Sequence, residues 1–211
     1  MFVCWSSKGG SGTTVVAAAL ALIAARSQSA LLVDLCGDQP GVLGIAEPSG
    51  PGVGDWLASP VADGAALLGL GVPVTDALDL LPAGCPVDRP AEQRWVALAE
   101  ALERADRTVV VDAGTGEPPS AILGGATSSL LVVRPCYLAI RSTLPITARV
   151  DGVVLVVEPG RALGRRDVER AVGAPVVAEV PYDPAVARSV DSGLLSSRLP
   201  WSLSHTLRLP A

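Results

Sequence analysis

The sequence predicts an α/β fold in which a mainly parallel central sheet is covered by helices. Three observations carry this reading. Short, continuously apolar runs such as Val109-Val110-Val111 and Val153-Val154-Leu155-Val156-Val157 recur along the chain, helical segments separate them, and Gly and Pro punctuate the boundaries. Strands buried on both faces read as unbroken apolar runs, whereas half-exposed strands alternate with polar residues. With 211 residues, 49% of them hydrophobic and 18% charged, the chain can bury a sizeable core. One domain is expected over residues 1–195, followed by a C-terminal tail over 196–211.

Taken in order, residues 1–5 read as a strand, 6–12 as a Ser/Gly loop, and 14–26 as an Ala/Leu/Ile-rich helix without internal Gly or Pro. Residues 30–34 form a second strand ending in an acid. The stretch 36–60, rich in Gly, Pro and Asp, reads as loop plus a small helix around Trp56 and Leu57. A weaker helix is expected over 61–68 and a strand over 77–81, leading into the turn Pro82-Ala83-Gly84. Residues 90–104 make a cleaner helix: Pro90 sits at its start, and Trp95, Leu98 and Leu102 fall at helical spacing opposite Glu92, Arg94, Glu100 and Glu103. It feeds a strand over 108–112. Further strands are expected at 129–133, 152–158 and 175–180, with helices at 137–144, 165–172 and 184–192. Pro200 interrupts any helix in the last segment, which reads as a loosely packed terminus.

Composition excludes several function classes. Sixteen Lys plus Arg against 21 Asp plus Glu leave a net charge of −5, the wrong sign for a basic nucleic-acid module. One Phe, two Tyr and four Trp supply few stacking platforms for single strands. Arg161, Arg165, Arg166 and Arg170 cluster, but Asp167 and Glu169 make that segment a solvated helical face. Cys4, Cys36, Cys85 and Cys136 form no CxxC pair, so neither a disulfide framework nor a zinc knuckle is indicated, and a reducing cytoplasm fits. The longest apolar helical stretch, residues 15–25, is about half of the ~20 residues that cross a bilayer, and no basic segment precedes it.

Fifteen of the 16 basic residues are Arg, and the single lysine, Lys8, lies in the most motif-like segment of the chain. Ser7-Lys8-Gly9-Gly10-Ser11-Gly12-Thr13-Thr14 nearly matches the phosphate loop G-x-x-x-x-G-K-[ST], with Ser7 at the first position and Thr13 where the motif has lysine. The glycines still allow backbone N–H groups to wrap an anion at a helix N-terminus.

This loop resembles that of the MinD/ParA family of deviant Walker-A ATPases, which follows KGGxGKT with a signature lysine at its start. Lys8 matches the signature lysine, Gly9, Gly10 and Gly12 the glycines, and Thr14 the hydroxyl expected to hold Mg²⁺. Thr13 departs from the family rule in a way that looks like the CpaE/TadZ branch of pilus-assembly proteins or an actinobacterial orphan relative. The resemblance implies a three-layer P-loop NTPase fold. In Leu32-Val33-Asp34-Leu35-Cys36-Gly37-Asp38, Asp34 matches the Asp that orients the attacking water, and Cys36 stands where many relatives have a second acid. Val109-Val110-Val111-Asp112-Ala113-Gly114 looks like the Walker B strand, with Asp112 supporting Mg²⁺ through water. Arg134-Pro135 follows the next strand, with Arg141 near the family's helical arginine. Glu158 falls where relatives carry an adenine-contacting pair, and Pro181 and Asp183 match a base-side loop.

The resemblance thus implies ATP and Mg²⁺ as cofactors. Lys8 and Asp34 are the expected catalytic residues. Lys8, Gly9, Gly10, Ser11, Gly12, Thr13, Thr14, Arg134, Glu158, Pro181 and Asp183 are expected at the nucleotide, with Thr14 and Asp112 at the metal. It also implies an ATP-dependent homodimer in which each Lys8 reaches the partner's nucleotide. The expected function is a dimerising switch that positions or assembles a larger machine such as a Tad-type pilus or secretion system through a protein partner. Hydrolysis is expected to be slow or absent, because Thr13 brings no charge to the transferring phosphate. The expected place is the cytoplasm, with recruitment to the cell pole or inner membrane face and membrane contact only through partners or the tail. A ParA-like DNA-partitioning ATPase and a degenerate scaffold without nucleotide are the alternatives.

Overall fold

The computed structural model describes residues 1–209. Eight strands build one sheet: β1 (Phe2–Ser6), β2 (Ala30–Asp34), β3 (Val72–Thr75), β4 (Leu78–Leu81), β5 (Thr108–Thr115), β6 (Ser128–Val133), β7 (Gly152–Val157) and β8 (Val176–Pro181). Their order across the sheet is β3-β4-β2-β5-β1-β6-β7-β8, with every neighbouring pair parallel except β3 with β4. Among the described residues there are ten helices: α1 (Thr13–Ala24), α2 (Gln39–Leu43), α3 (Val53–Ala58), α4 (Gly64–Leu68), α5 (Glu92–Glu103), α6 (Ser120–Gly124), α7 (Tyr137–Thr143), α8 (Arg165–Val172), α9 (Pro184–Asp191) and α10 (Trp201–Thr206).

Strand period decides which residue faces which layer. Val3, Trp5, Leu31, Val33, Val109 and Val111 enter one core together with α3 to α8, while Cys4, Leu32, Val110, Leu130 and Val132 enter the other with α1, α2, α9 and α10. The three-layer fold follows, as the sequence predicts. Helix α1 lies against β1, β2 and β5, and its alanines bring it close enough to be buried over most of its surface. The buried Trp5 indole donates to Ser129 Oγ at 2.9 Å, so its one polar atom is satisfied.

Several elements depart from the sequence reading. β3 is an edge strand outside the sequence reading, and Pro73 is accommodated there because the sheet continues on one side only. The loop after β2 holds α2 ahead of the small helix expected around Trp56 and Leu57, which is α3, and α6 lies unexpected between β5 and β6. The loosely packed terminus expected after residue 195 is replaced by α10, which packs on α1 and β8 with Leu203 and Leu207 buried. Pro200 is the N-cap of that helix rather than a break in it. Each buried leucine contributes about 1.5–3 kcal/mol relative to exposure. The four cysteines are free, and among the described residues no helix is long and apolar enough to cross a membrane.

Candidate functional site

The C-terminal ends of the parallel strands converge on one crest, where such sheets place ligands. β1 runs directly into the Ser7–Gly12 loop, and α1 starts at Thr13. Gly10 and Gly12 sit at φ of 80° and 90°, a region open to glycine and strained for other residues. That curl leaves the N–H groups of Gly9, Gly10, Ser11 and Gly12 without a backbone or side-chain acceptor among the described residues. They stand at the N-terminus of a 12-residue helix, whose dipole favours an anion. Ser11 Oγ donates to Lys8 O at 2.8 Å and Ser7 Oγ is 2.8 Å from Ser142 Oγ on α7, so the loop is braced at both ends.

One side of the loop opens into a cavity of about 350 Å³. Gly10, Ser11 and Gly12 form its floor, and Arg134, Pro181 and Asp183 are among its walls. Val156, Val180 and Val186 make much of the remainder apolar, which suits a flat organic ring beside an anion. The Asp183 carboxylate caps α9 through Ala185 N–H at 2.8 Å and accepts the Ser202 hydroxyl at 2.8 Å. These two bonds, the backbone one foremost, hold it below the usual carboxylate range.

On the other side, register sets Asp34 of β2 directly beside Asp112 of β5. Asp34 is fully buried and accepts the N–H groups of Cys36 at 2.9 Å, Gly37 at 2.8 Å and Gln39 at 3.0 Å. Gln39 is the residue the sequence reading missed. Its buried Nε2 donates to Asp112 Oδ2 at 2.8 Å and to Thr14 O at 3.0 Å, joining the acid pair to the first turn of α1. Its Oε1 is buried without a partner. Nothing in its local sequence distinguishes it from an ordinary surface amide. Cys36 Sγ contacts Asp112 O at 3.6 Å, and burial, then the two aspartates, push its thiol upward so that it stays protonated.

Burial also raises the Asp112 carboxyl, against the lowering effect of the Gln39 amide and Gly114 N–H. A carboxyl that holds its proton more tightly when folded costs stability as pH rises from its unfolded value through its folded one. Asp112→Asn removes this buried charge but keeps only one of the two oxygens that accept from Gln39 Nε2 and Gly114 N–H, so the expected net gain for the ligand-free chain at pH 7 is small, about 0–1 kcal/mol. The gain should vanish near pH 4. Chemical denaturation of both proteins across that range checks it, and a variant less stable than the parent at pH 7 would contradict it.

Comparison with solved structures places this geometry. The chain superposes on the ParA family ATPase of Chlorobium tepidum TLS with a TM-score of 0.78 at 21% identity, covering 97% of this chain and 94% of that one. It superposes on the cell division ATPase MinD of Pyrococcus furiosus with a TM-score of 0.75 at 20% identity, over 97% and 96% of the two chains. The chain has the MinD/ParA ATPase fold. A third likeness is the septum site-determining protein MinD of Pyrococcus horikoshii OT3, complexed with Mg-ADP, with a TM-score of 0.72 at 17% identity over 92% and 86%. The sequence matches no protein-family model and no curated protein.

Within this MinD/ParA fold the predicted site residues separate into three groups. Gly10, Ser11, Gly12, Arg134, Pro181 and Asp183 share the cavity. Thr14, Asp34 and Asp112 meet around Gln39. Lys8 and Gly9 lie on the exposed outer side of the loop, where Lys8 Nζ donates to its neighbour Gly9 O at 3.4 Å and to no other group among the described residues, and Thr13 is buried. Glu158 is absent from the cavity wall. Its carboxylate is paired with Arg134 and Arg161.

Proposed function

We propose that this chain is a nucleotide-dependent switch that binds ATP·Mg²⁺ on the Ser7–Gly12 loop, dimerises over it, and hydrolyses it slowly if at all. The observation that carries the reading is the glycine curl whose Gly10, Ser11 and Gly12 backbone borders an apolar cavity with Arg134 in its wall, its N–H groups unpaired among the described residues. Such an arrangement is built for a phosphate chain carrying an organic ring. The MinD of Pyrococcus horikoshii is complexed with Mg-ADP on the same fold.

The donors fit a hard cation. The Thr14 hydroxyl, the Asp112 carboxylate and the orphaned Gln39 Oε1 offer oxygen ligands or anchors for bound water, as Mg²⁺ prefers. Cys36 lies within 4.8 Å of the two acids, but a protonated thiol is a poor ligand for it. Bound there, the metal would neutralise phosphate charge. Asp34 acts by holding the Cys36–Gln39 turn, and so Gln39, in place. Lys8, exposed and without an acidic partner among the described residues, is the residue that reaches a second copy's phosphates. The machine served is, on the loop's resemblance, a pilus, secretion or positioning system engaged through a protein partner.

DNA coating fits less well. Arg165 is occupied by Glu169, Glu179 and Val176 O, and Arg161 by Glu158, which removes half of the arginine cluster from phosphate contact. Calorimetric titration with MgATP is expected to give micromolar or weaker binding, and no duplex DNA should shift at physiological salt with or without ATP. No heat with ATP, ADP or GTP up to millimolar concentration would move the scaffold reading to first place. A salt-sensitive DNA shift at submicromolar protein would favour partitioning.

A further inference from the structure

Arg134, at the end of β6, is the one cation among the residues lining the cavity. Its guanidinium is divided: Nη1 donates to the loop carbonyl Gly10 O at 3.1 Å, Nη2 pairs with Glu158, and Nε is buried without a partner. Glu158 follows β7, the strand beside β6, and its side chain is only 13% exposed. A second guanidinium holds the same carboxylate from outside the cavity, with Arg161 Nε at 2.6 Å from Oε2. One largely buried acid thus neutralises two arginines, of which only Arg134 faces the cavity. A buried charge stripped of every partner is strongly disfavoured, so an acid with a single partner could not release it. Glu158 can release Arg134 because Arg161 remains.

We propose that Arg134 supplies to a bound polyphosphate the positive charge that Thr13 lacks, and that Glu158 gates it. This rests on the nucleotide reading above. Without polyphosphate, Glu158 and Gly10 O hold Arg134. A phosphate chain on the loop draws the guanidinium over, since a planar fork meets phosphate oxygens bidentately and the free Nε–H is one more donor. Arg161 then keeps Glu158 neutralised. The competition favours ligands with several negative charges, so nucleoside di- and triphosphates are taken over nucleosides and monophosphates.

The test is calorimetric titration of MgATP into the full chain and four variants, with thermal midpoints recorded for each. Arg134→Gln is expected to weaken binding at least tenfold. Glu158→Gln frees Arg134 and is expected to tighten it at least threefold. Arg161→Gln touches no part of the cavity, yet it leaves Glu158 dependent on Arg134 and is expected to weaken binding at least threefold. In Glu158→Gln/Arg161→Gln that last effect should disappear. If the parent binds and Arg161→Gln binds equally well, or Glu158→Gln binds more weakly than the parent, the gate is wrong and the nucleotide reading stands. If neither the parent nor Glu158→Gln binds up to millimolar MgATP, the nucleotide reading falls and the gate with it. Binding by Glu158→Gln alone would support the gate in its strongest form. Arg161→Gln changes an exposed residue and keeps the test decisive if Glu158→Gln fails to fold.

Discussion

Replacing Asp34 with Ala is expected to cost about 2–4 kcal/mol of stability, lowering the thermal midpoint by roughly 5–15 °C. The carboxylate is fully buried, and its two oxygens serve three backbone donors in the turn from Cys36 to Gln39. Each buried donor left without a partner costs about 1–3 kcal/mol. Cys36 and Gly37 are exposed enough for water to replace part of their loss, whereas Gln39 is fully buried. Asn at the same position should recover part of the loss, because its carbonyl oxygen can still accept from Cys36 and Gly37 while its amide opposes the Gln39 N–H. Urea denaturation with unchanged slope checks the ranking of parent, Asn and Ala. A loss below about 0.5 kcal/mol for Ala would show that the turn holds without the acid.

The same turn shows where sequence reading stops. Strand runs such as Val109-Val110-Val111 declare themselves because burial on both faces leaves a purely local mark, and the phosphate loop does so because its glycines, lysine and threonines are contiguous. Gln39 carries no such mark. Its importance comes from the register that sets Asp34 beside Asp112 and from the distance between α2 and the first turn of α1, both tertiary facts. Glu158 was legible as a departure from the expected adenine contact. Its pairing with Arg134 was not legible, because that depends on β7 lying next to β6 and bringing the two side chains within reach. Pro200 misled for a simple reason. A proline forbids an interior N–H bond, but at a helix N-cap no such bond is required.

Lys8→Ala is expected to leave folding within about 0.5 kcal/mol of the parent while abolishing ATP-driven dimerisation at concentrations that dimerise the parent. The first half follows from the structure, since Lys8 is exposed and, among the described residues, its Nζ meets only Gly9 O at 3.4 Å. The second follows from the proposed role. A lysine that reaches a partner's phosphates loses water on docking, and truncating one member of a desolvated charge pair typically weakens an interface by about 2–5 kcal/mol. Two copies of the change act in one symmetric dimer, so the deficit is felt twice. Light scattering with and without MgATP reads it directly: monomer mass for Lys8→Ala in both conditions, and a dimer for the parent with ATP alone or much more tightly with it. Thr13→Lys is the complementary change. Placing a cation at the end of the glycine curl should raise MgATP affinity about tenfold without altering the backbone donors, and it should lessen the dependence on Arg134 because two cations then share one phosphate chain. If Lys8→Ala and the parent show the same mass and the same response to MgATP, the chain's single lysine is not a dimer contact. The exposed side of the loop would then owe its lysine to solvation alone.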